Sequence, residues 1–284
     1  MSTSSWGKDL SGSEKIVINE HTIFQYHPKF ESEHEVEIES KIRQDILRNC
    51  CNITARKTVI YPATKLAIKL ANCTEDEPCN SLACPKCVRL QRLHFIETTA
   101  NALWEIQDEL VFVTYIPYQQ ELNNTNPALI DIPSIKDKFR CYLKNTGIEQ
   151  IAIGCVEMDY DLNSSSWVPH IHFLTKEIDK NKLKTLRGKI NTNHLKTREG
   201  VKNRPLHVKK IDFFISLIAY IYKFMWQAKL IKKNRGFKQK KVRLADDTAM
   251  YSYLLLDQYS MKDMEFRYGV RRNKNGLSFT HSAE

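Results

Sequence analysis

Apolar and polar residues along this chain repeat with two different periods, and each change of period marks an element. Between residues 31 and 47, Ile38, Ile42 and Ile46 recur every four positions, and Glu35, Glu39 and Arg43 recur every four beside them. That spacing predicts a surface helix. Residues 50–71 mix apolar positions with Arg56, Lys57, Lys65 and Lys69 and show no single period. Leu90, Leu93, Ile96, Ala100 and Leu103 fall at helical spacing and predict a helix over 89–107. Three β-prone runs follow, at 110–116, 151–159 and 168–174, with a helix between the first two at 135–143. The polar stretch 161–166 reads as a hairpin, which makes the second and third strands antiparallel neighbours. Further helices are predicted at 178–190 and 249–259. The oily run 211–232 is predicted as one long helix. Ser216, Tyr220, Lys223 and Gln227 lie on it at spacings of 4, 3 and 4, a narrow polar stripe that faces a wet cleft or a partner. Residues 1–30 read as a loose lead and 271–276 as a loop or disordered tail. No internal repeat is present. The three strands and their flanking helices predict an α+β fold with an antiparallel sheet and helices on one face.

Composition adds a division of the chain. A lead and surface helix (1–49) precede a cysteine-rich element (50–98). The strand-bearing domain (99–235) and a basic C-terminal extension (236–284) follow. The chain has 284 residues, 42% of them hydrophobic, enough for a sizeable core. Its start lacks an apolar run, and residues 211–226 carry Asp212 and Lys223 and are too short to span a bilayer comfortably. No membrane partner and a cytoplasmic location are therefore expected.

Four of the eight cysteines, Cys73, Cys79, Cys84 and Cys87, fall within fifteen positions. Cys84-Pro-Lys-Cys87 is a tight half-site for a tetrahedral ion, and Cys79 and Cys73 complete four sulfurs, with Cys50 or Cys51 as substitutes for Cys73. A structural Zn²⁺ is expected; redox use of the pair is the rival, without a thioredoxin-like strand and helix around it. The net charge of +10 is concentrated. Residues 182–243 hold nineteen Lys or Arg against Glu199 and Asp212, a net +17, so the rest sums to −7. Such asymmetry points to a polyanion, with Phe237 a candidate to stack on bases.

The remaining chemistry lies on the third strand. His170 and His172 alternate with Ile171 and so share a face, which suits a divalent metal; taken alone, the pair is equally one of ordinary strand histidines. With the tyrosine-bearing helix, a pattern emerges. The chain resembles the rolling-circle replication initiators, single-strand endonucleases named for their His-hydrophobe-His motif. Phe112-Val-Thr-Tyr matches the first family motif weakly. Glu157 followed by Pro169-His170-Ile171-His172 matches the second, and Tyr220-Ile-Tyr-Lys223 the third. Cys79 to Cys87 reproduces the Cys-x4-Cys-Pro-x-Cys that plasmid members place upstream. Together the matches run from about Cys73 to Ala228, just over half the chain.

The resemblance implies an RRM-like palm with a metal on its open face. It implies Mg²⁺ or Mn²⁺ held by His170, His172 and an acid. Glu157 fills that place, although the long hairpin lets Asp159 or Asp161 displace it. It implies that Tyr220 attacks a phosphodiester of single-stranded or hairpin DNA at a replication origin, leaving a 5′-phosphotyrosine and a free 3′-hydroxyl. Lys223 steadies the phosphate or the phenolate. A host helicase and self-association are the implied protein partners. Two-tyrosine members carry a second tyrosine where this chain has Phe224, so a single-tyrosine enzyme is expected. Helical geometry also separates the tyrosines. Tyr220 and Tyr222 point about 200° apart, and Tyr222 shares its side with Ile215, Ala219 and Trp226, so it should be packed with its hydroxyl at the edge. The rival readings are a single-tyrosine transposase or mobilisation relaxase, a metal-dependent hydrolase that uses water, and a non-catalytic zinc-containing DNA-binding protein.

Overall fold

Helices build the described residues up to Leu103, and a sheet dominates those that follow. The computed structural model describes residues 16–122, 126–191, 204–224, 226–232, 238–273 and 276–280. After the single turn α1 (Ile23–Tyr26), α2 (Glu33–Arg48) starts in a capping box: Glu35 N donates to the Ser32 hydroxyl, and Ser32 N donates to the Glu35 carboxylate. The turn α3 (Cys50–Ile53) leads into α4 (Lys57–Ala71), which tolerates Pro62 on its exposed side. The buried positions Ala63, Leu66, Ala67 and Leu70 keep helical spacing, but the apolar Tyr61 and Ile68 are exposed on the other side, which hid the period over 50–71. α5 (Pro85–Leu103) carries Pro85 in its first turn, where a missing N–H is harmless.

The second half runs β1 (Leu110–Tyr115), α6 (Ile132–Asn145), β2 (Ala152–Asp161), β3 (Ser166–Lys176), α7 (Lys180–Asn191) and β4 (Leu206–Lys210). It continues with α8 (Phe214–Ile221), β5 (Gln227–Lys232), β6 (Lys238–Val242), α9 (Asp246–Leu256) and α10 (Met261–Met264). β7 (Glu265–Tyr268) and the hairpin of β8 (Val270–Asn273) and β9 (Gly276–Phe279) complete the described chain. The strand order is β4-β1-β3-β2-β5-β6, with β7 also on β2. The hairpin predicted at 161–166 is present: β2 and β3 pair antiparallel from Asp161↔Ser166 to Ala152↔Thr175. β2 shares its other edge between two strands. β7 pairs antiparallel along 152–155, and β5 pairs parallel along 159–161. The sheet is therefore mixed, where the sequence predicts a purely antiparallel one.

Helices pack on both faces rather than one. On one face Phe139 of α6 stacks on Tyr115 at 4.2 Å and lies 5.4 Å from both Phe173 and Phe266. The opposite face carries His170 and His172, and α8 lies over it, with Tyr220 5.2 Å from the His172 ring. α5 backs α8: the buried Arg92 donates to Ala219 O at 3.2 Å and pairs with Glu31.

Three further expectations are corrected. The helix predicted over 211–232 is α8 followed by β5, because residues 227–229 pair with β2 and strand pairing overrides local helical spacing. The loose lead holds packed residues: Ile16, Ile18, Ile23 and Phe30 are buried, and Ile16 is held at both backbone atoms by Asn101 (2.7 and 2.8 Å). Residues 1–15 lie outside the described residues. The predicted tail forms β8 and β9, anchored by Arg272. Of the basic window, Lys196, Arg198, Lys202, Lys233, Arg235 and also Phe237 lie outside the described residues. Among the described residues no helix is long and apolar enough to cross a membrane.

Candidate active site

The register of β2 and β3 sets His170 directly across from Glu157, and β1 sets Thr114 across from His172. Directly opposed side chains share a face, so four polar groups converge on one patch. The patch is closed: Glu157, His170 and His172 are 2%, 4% and 6% exposed. Nε2 of His170 lies 3.4 Å from Glu157 Oε2, and Nε2 of His172 lies 3.3 Å from the same oxygen. The three donor atoms lie within 4.8 Å of one another.

The hydrogen bonds around this trio say what it lacks. Nδ1 of His170 lies 3.1 Å from Val168 O, and a carbonyl only accepts, so Nδ1 carries the proton. In the neutral ring Nε2 then turns a lone pair toward a carboxylate, which is repulsive unless a cation lies between. Glu157 Oε1 is buried without a partner, which adds to the case. Burial alone would raise the Glu157 pKa, but against protonated histidines the hydrogen bonds and charges of both rings hold it well below the carboxylate range. Burial, then the His170 charge, push His172 down to about 4. Thr114 Oγ1 orients His172 through Nδ1 at 2.9 Å, and Phe112 stacks on its ring at 5.4 Å. Two imidazoles and a carboxylate are a donor set suited to a divalent cation.

The two alternative acids are placed differently. Asp159 Oδ2 is 3.4 Å from His170 Nε2 but is ion-paired with Lys229. Asp161 accepts from Asn163 N at 2.8 Å and shapes the hairpin.

Tyr220 ends α8 with its hydroxyl 3.4 Å from His172 Nε2. Burial, then the charges of Glu157 and Asp159, raise its pKa above the usual phenol value. Ser216, on the same helix, hydrogen-bonds His27 at 2.9 Å. Lys223 lies beyond the end of α8 and donates to Gln227 Oε1 at 3.2 Å, so the polar stripe survives as a set of neighbours although one helix does not carry it. Tyr222 is fully buried and faces away. Its hydroxyl donates to Glu265 Oε1 at 2.9 Å and lies 3.0 Å from Thr99 Oγ1. Arg272 completes that network, with Nη2 2.6 Å from Glu265 Oε1. The hydroxyl therefore lies inside a polar knot, not at an edge. Lys229 and Lys241 were missed. Lys241 Nζ lies 5.9 Å from the centroid of the Tyr220 ring. Reading 211–232 as a helix hid the alternation of polar Gln227 and Lys229 with apolar Ala228 and Leu230 that marks a strand.

A second donor cluster lies at the start of α5. Cys84 caps the helix, and Cys87 is one turn on. The sulfur pairs Cys73–Cys87, Cys84–Cys73 and Cys79–Cys87 are 3.4, 3.6 and 3.7 Å apart. Four thiolates about 2.3 Å from a tetrahedral zinc would be about 3.8 Å apart, so the cluster needs little adjustment to hold one. Backbone N–H groups of Asn80 and Cys79 already point at Cys87 Sγ (3.3 Å) and Cys73 Sγ (3.4 Å). The hydrogen bond from Cys84 is the chief cause that brings Cys87 down to about 5, while Cys84 itself is pushed up. Cys73 thus completes the four. Cys50 is turned to Ile60 O, and Cys51 is exposed.

No family model, no curated protein and no solved structure matches this chain. Among the described residues, two separate clusters could hold a metal, one of four cysteines and one His-His-Glu, and both rest on the chain's own geometry.

Proposed function

We propose that this protein is a metal-dependent enzyme that nicks and rejoins single-stranded DNA, with Tyr220 as nucleophile, and that it initiates rolling-circle replication. One observation carries the reading: the Tyr220 hydroxyl lies 3.4 Å from the edge of the His-His-Glu cluster. Glu157, His170 and His172 would hold Mg²⁺ or Mn²⁺, which when bound neutralises charge on a phosphate oxygen. The chain's own groups do the rest. Tyr220 Oη forms a bond to phosphorus, the bond from phosphorus to the 3′ oxygen breaks, the phenol gives up its proton and the departing oxygen gains one. The bond energy is kept in the phosphotyrosine, so the free 3′-hydroxyl can reverse the step. Thr114 and Phe112 fix the His172 ring. Burial, then the carboxylates of Glu157 and Asp159, oppose phenolate formation, and positive charge beside Tyr220 would offset them. The sheet with helices over the reactive face is read as the palm of that enzyme class, and the cysteine cluster as a structural zinc element.

The test is incubation with labelled single-stranded oligonucleotides tiling the DNA that flanks the chain's own coding sequence, in Mn²⁺, followed by a denaturing gel. The expected result is a covalent adduct that peptide mapping assigns to Tyr220 and that Tyr220→Phe lacks. Cleavage without any adduct would instead establish a hydrolase that uses water. DNA on Tyr222 would overturn the assignment. Adduct formation on origin hairpins rather than on inverted terminal ends separates a replication initiator from a transposase of the same chemistry.

A further inference from the structure

Three lysines from three segments gather near the Tyr220 side of the sheet. Lys229 of β5 pairs with the Asp159 carboxylate, which itself lies 3.4 Å from His170 Nε2. Lys241 of β6 brings its ammonium to 5.9 Å from the Tyr220 ring centroid. Lys223 follows α8 and donates to Gln227. Lys229 and Lys241 are direct partners in the β5–β6 register, so both side chains leave one face of the ribbon. Like charges directly opposed on two strands repel, and this cost needs a compensating group. Asp159 compensates Lys229. Among the described residues no carboxylate pairs with Lys241, which is exposed, or with Lys223. Burial, then the charge of Lys241, hold Lys223 below the usual lysine range, so these two ammonium groups feel one another. Unneutralised positive charge beside a nucleophile is a seat for an anion.

We infer that Lys241 is the phosphate-binding residue of the site and takes the phosphodiester that Tyr220 attacks. This rests on the Tyr220 reading above and moves the clamp from Lys223 to the β5–β6 ribbon. Lys223 is half-buried and holds Gln227, which ties the end of α8 to the start of β5. Lys229 is occupied by Asp159 and ties β5 to the metal-bearing strand. Of these three lysines, Lys241 alone combines exposure, no carboxylate partner among the described residues and closeness to Tyr220. The ligand chemistry is a backbone phosphate of single-stranded DNA, which any sequence supplies, so the contact adds affinity and rate without adding sequence preference.

Two measurements test it. The first uses Tyr220→Phe protein, so cleavage plays no part, and follows binding of a mixed-sequence single-stranded oligonucleotide of about 20 nucleotides against salt. Adding Lys241→Ala should lower the slope of log affinity on log salt by about 0.7, the value for one phosphate contact on a single strand, and Lys241→Arg should restore it. The second uses protein with Tyr220 intact and measures adduct formation in single turnover at saturating DNA and Mn²⁺. There Lys241→Ala should slow the reaction by about 100-fold, the scale of one lost electrostatic contact to the reacting group, with Lys241→Arg within about tenfold of the parent. An unchanged slope overturns the proposal. A lowered slope with an unchanged saturating rate overturns it too, because Lys241 would then hold a different phosphate. If the wild-type chain forms no adduct, the Tyr220 reading fails, while the first measurement still decides whether Lys241 binds phosphate. Lys241 is exposed on an edge strand, and Lys241→Gln is the second variant should the alanine form melt early.

Discussion

Tyr220 and Tyr222 differ, within a local sequence window, in their spacing to Lys223 and in direction. Their hydroxyls part company at the end of α8: that of Tyr220 lies beside the His-His-Glu cluster and that of Tyr222 in the interior. What the sequence hid was the destination of the Tyr222 hydroxyl. Glu265 and Arg272 come from more than forty residues away, so no spacing rule finds them. That distance changes a prediction. Tyr222→Phe removes a donor from a fully buried carboxylate, and the expected cost is about 1–3 kcal/mol, not the small loss of an exposed bond. A shift of the urea midpoint at constant slope measures it. Adduct formation per folded molecule should stay near the parent value, whereas Tyr220→Phe should fold normally and form none. A Tyr222→Phe chain as stable as the parent would mean that the Glu265 knot contributes nothing. The metal trio was legible in part. His170 and His172 follow from period two alone, but choosing Glu157 over Asp159 needs the cross-strand register and the presence of Lys229.

Elements with one strong period were read well. The β2–β3 hairpin, α6, α7 and the apolar side of α5 came from local pattern, except that Leu90 is exposed. Elements set by distant pairing were not. β5 is held by β2 residues almost seventy positions earlier, and β7 pairs with the other end of the same strand from more than a hundred positions later. Residues of β5 such as Ala228 and Leu230 suit a strand or a helix, and the partner decides. Gly154 shows how tightly β2 meets β3. A Cβ there would lie 1.9 Å from His172 O and 2.5 Å from Phe173 Cα, both backbone atoms that cannot rotate away. Gly154→Ala must push the strands apart at the residue that carries the metal-facing imidazole. A loss of about 3 kcal/mol is expected, at the upper end for overpacking, with adduct formation falling alongside. Urea unfolding and the gel assay on the same preparation check both. Unchanged stability would show that β2 and β3 have room to spare at this point.

Across the whole molecule, the two donor clusters differ in the cation they suit and in how firmly they hold it. Four sulfurs select zinc, and thiolate ligation at such a site is tied to folding itself. Under the proposed function, two imidazoles and a carboxylate would bind Mn²⁺ or Mg²⁺ weakly and exchange it, because neither ion gains the strong bonds that thiolates give zinc. Chelation should therefore act in two stages. Brief EDTA treatment should abolish adduct formation while one zinc per chain remains and the melting temperature changes little. Mn²⁺ should restore the activity, and it should fail to do so in His170→Ala, which is expected to keep salt-sensitive DNA binding. Removing the zinc is expected to have the opposite profile. In Cys84→Ser combined with Cys87→Ser the first turn of α5 loses its anchor, and α5 also carries Arg92, which holds α8 at Ala219 O. The double variant should lose zinc and melt several degrees lower, while every group proposed to react remains present. Metal analysis and thermal melts on the two preparations separate the stages. Zinc that leaves with brief EDTA, or activity that only zinc restores, would mean that the roles of the two clusters are exchanged.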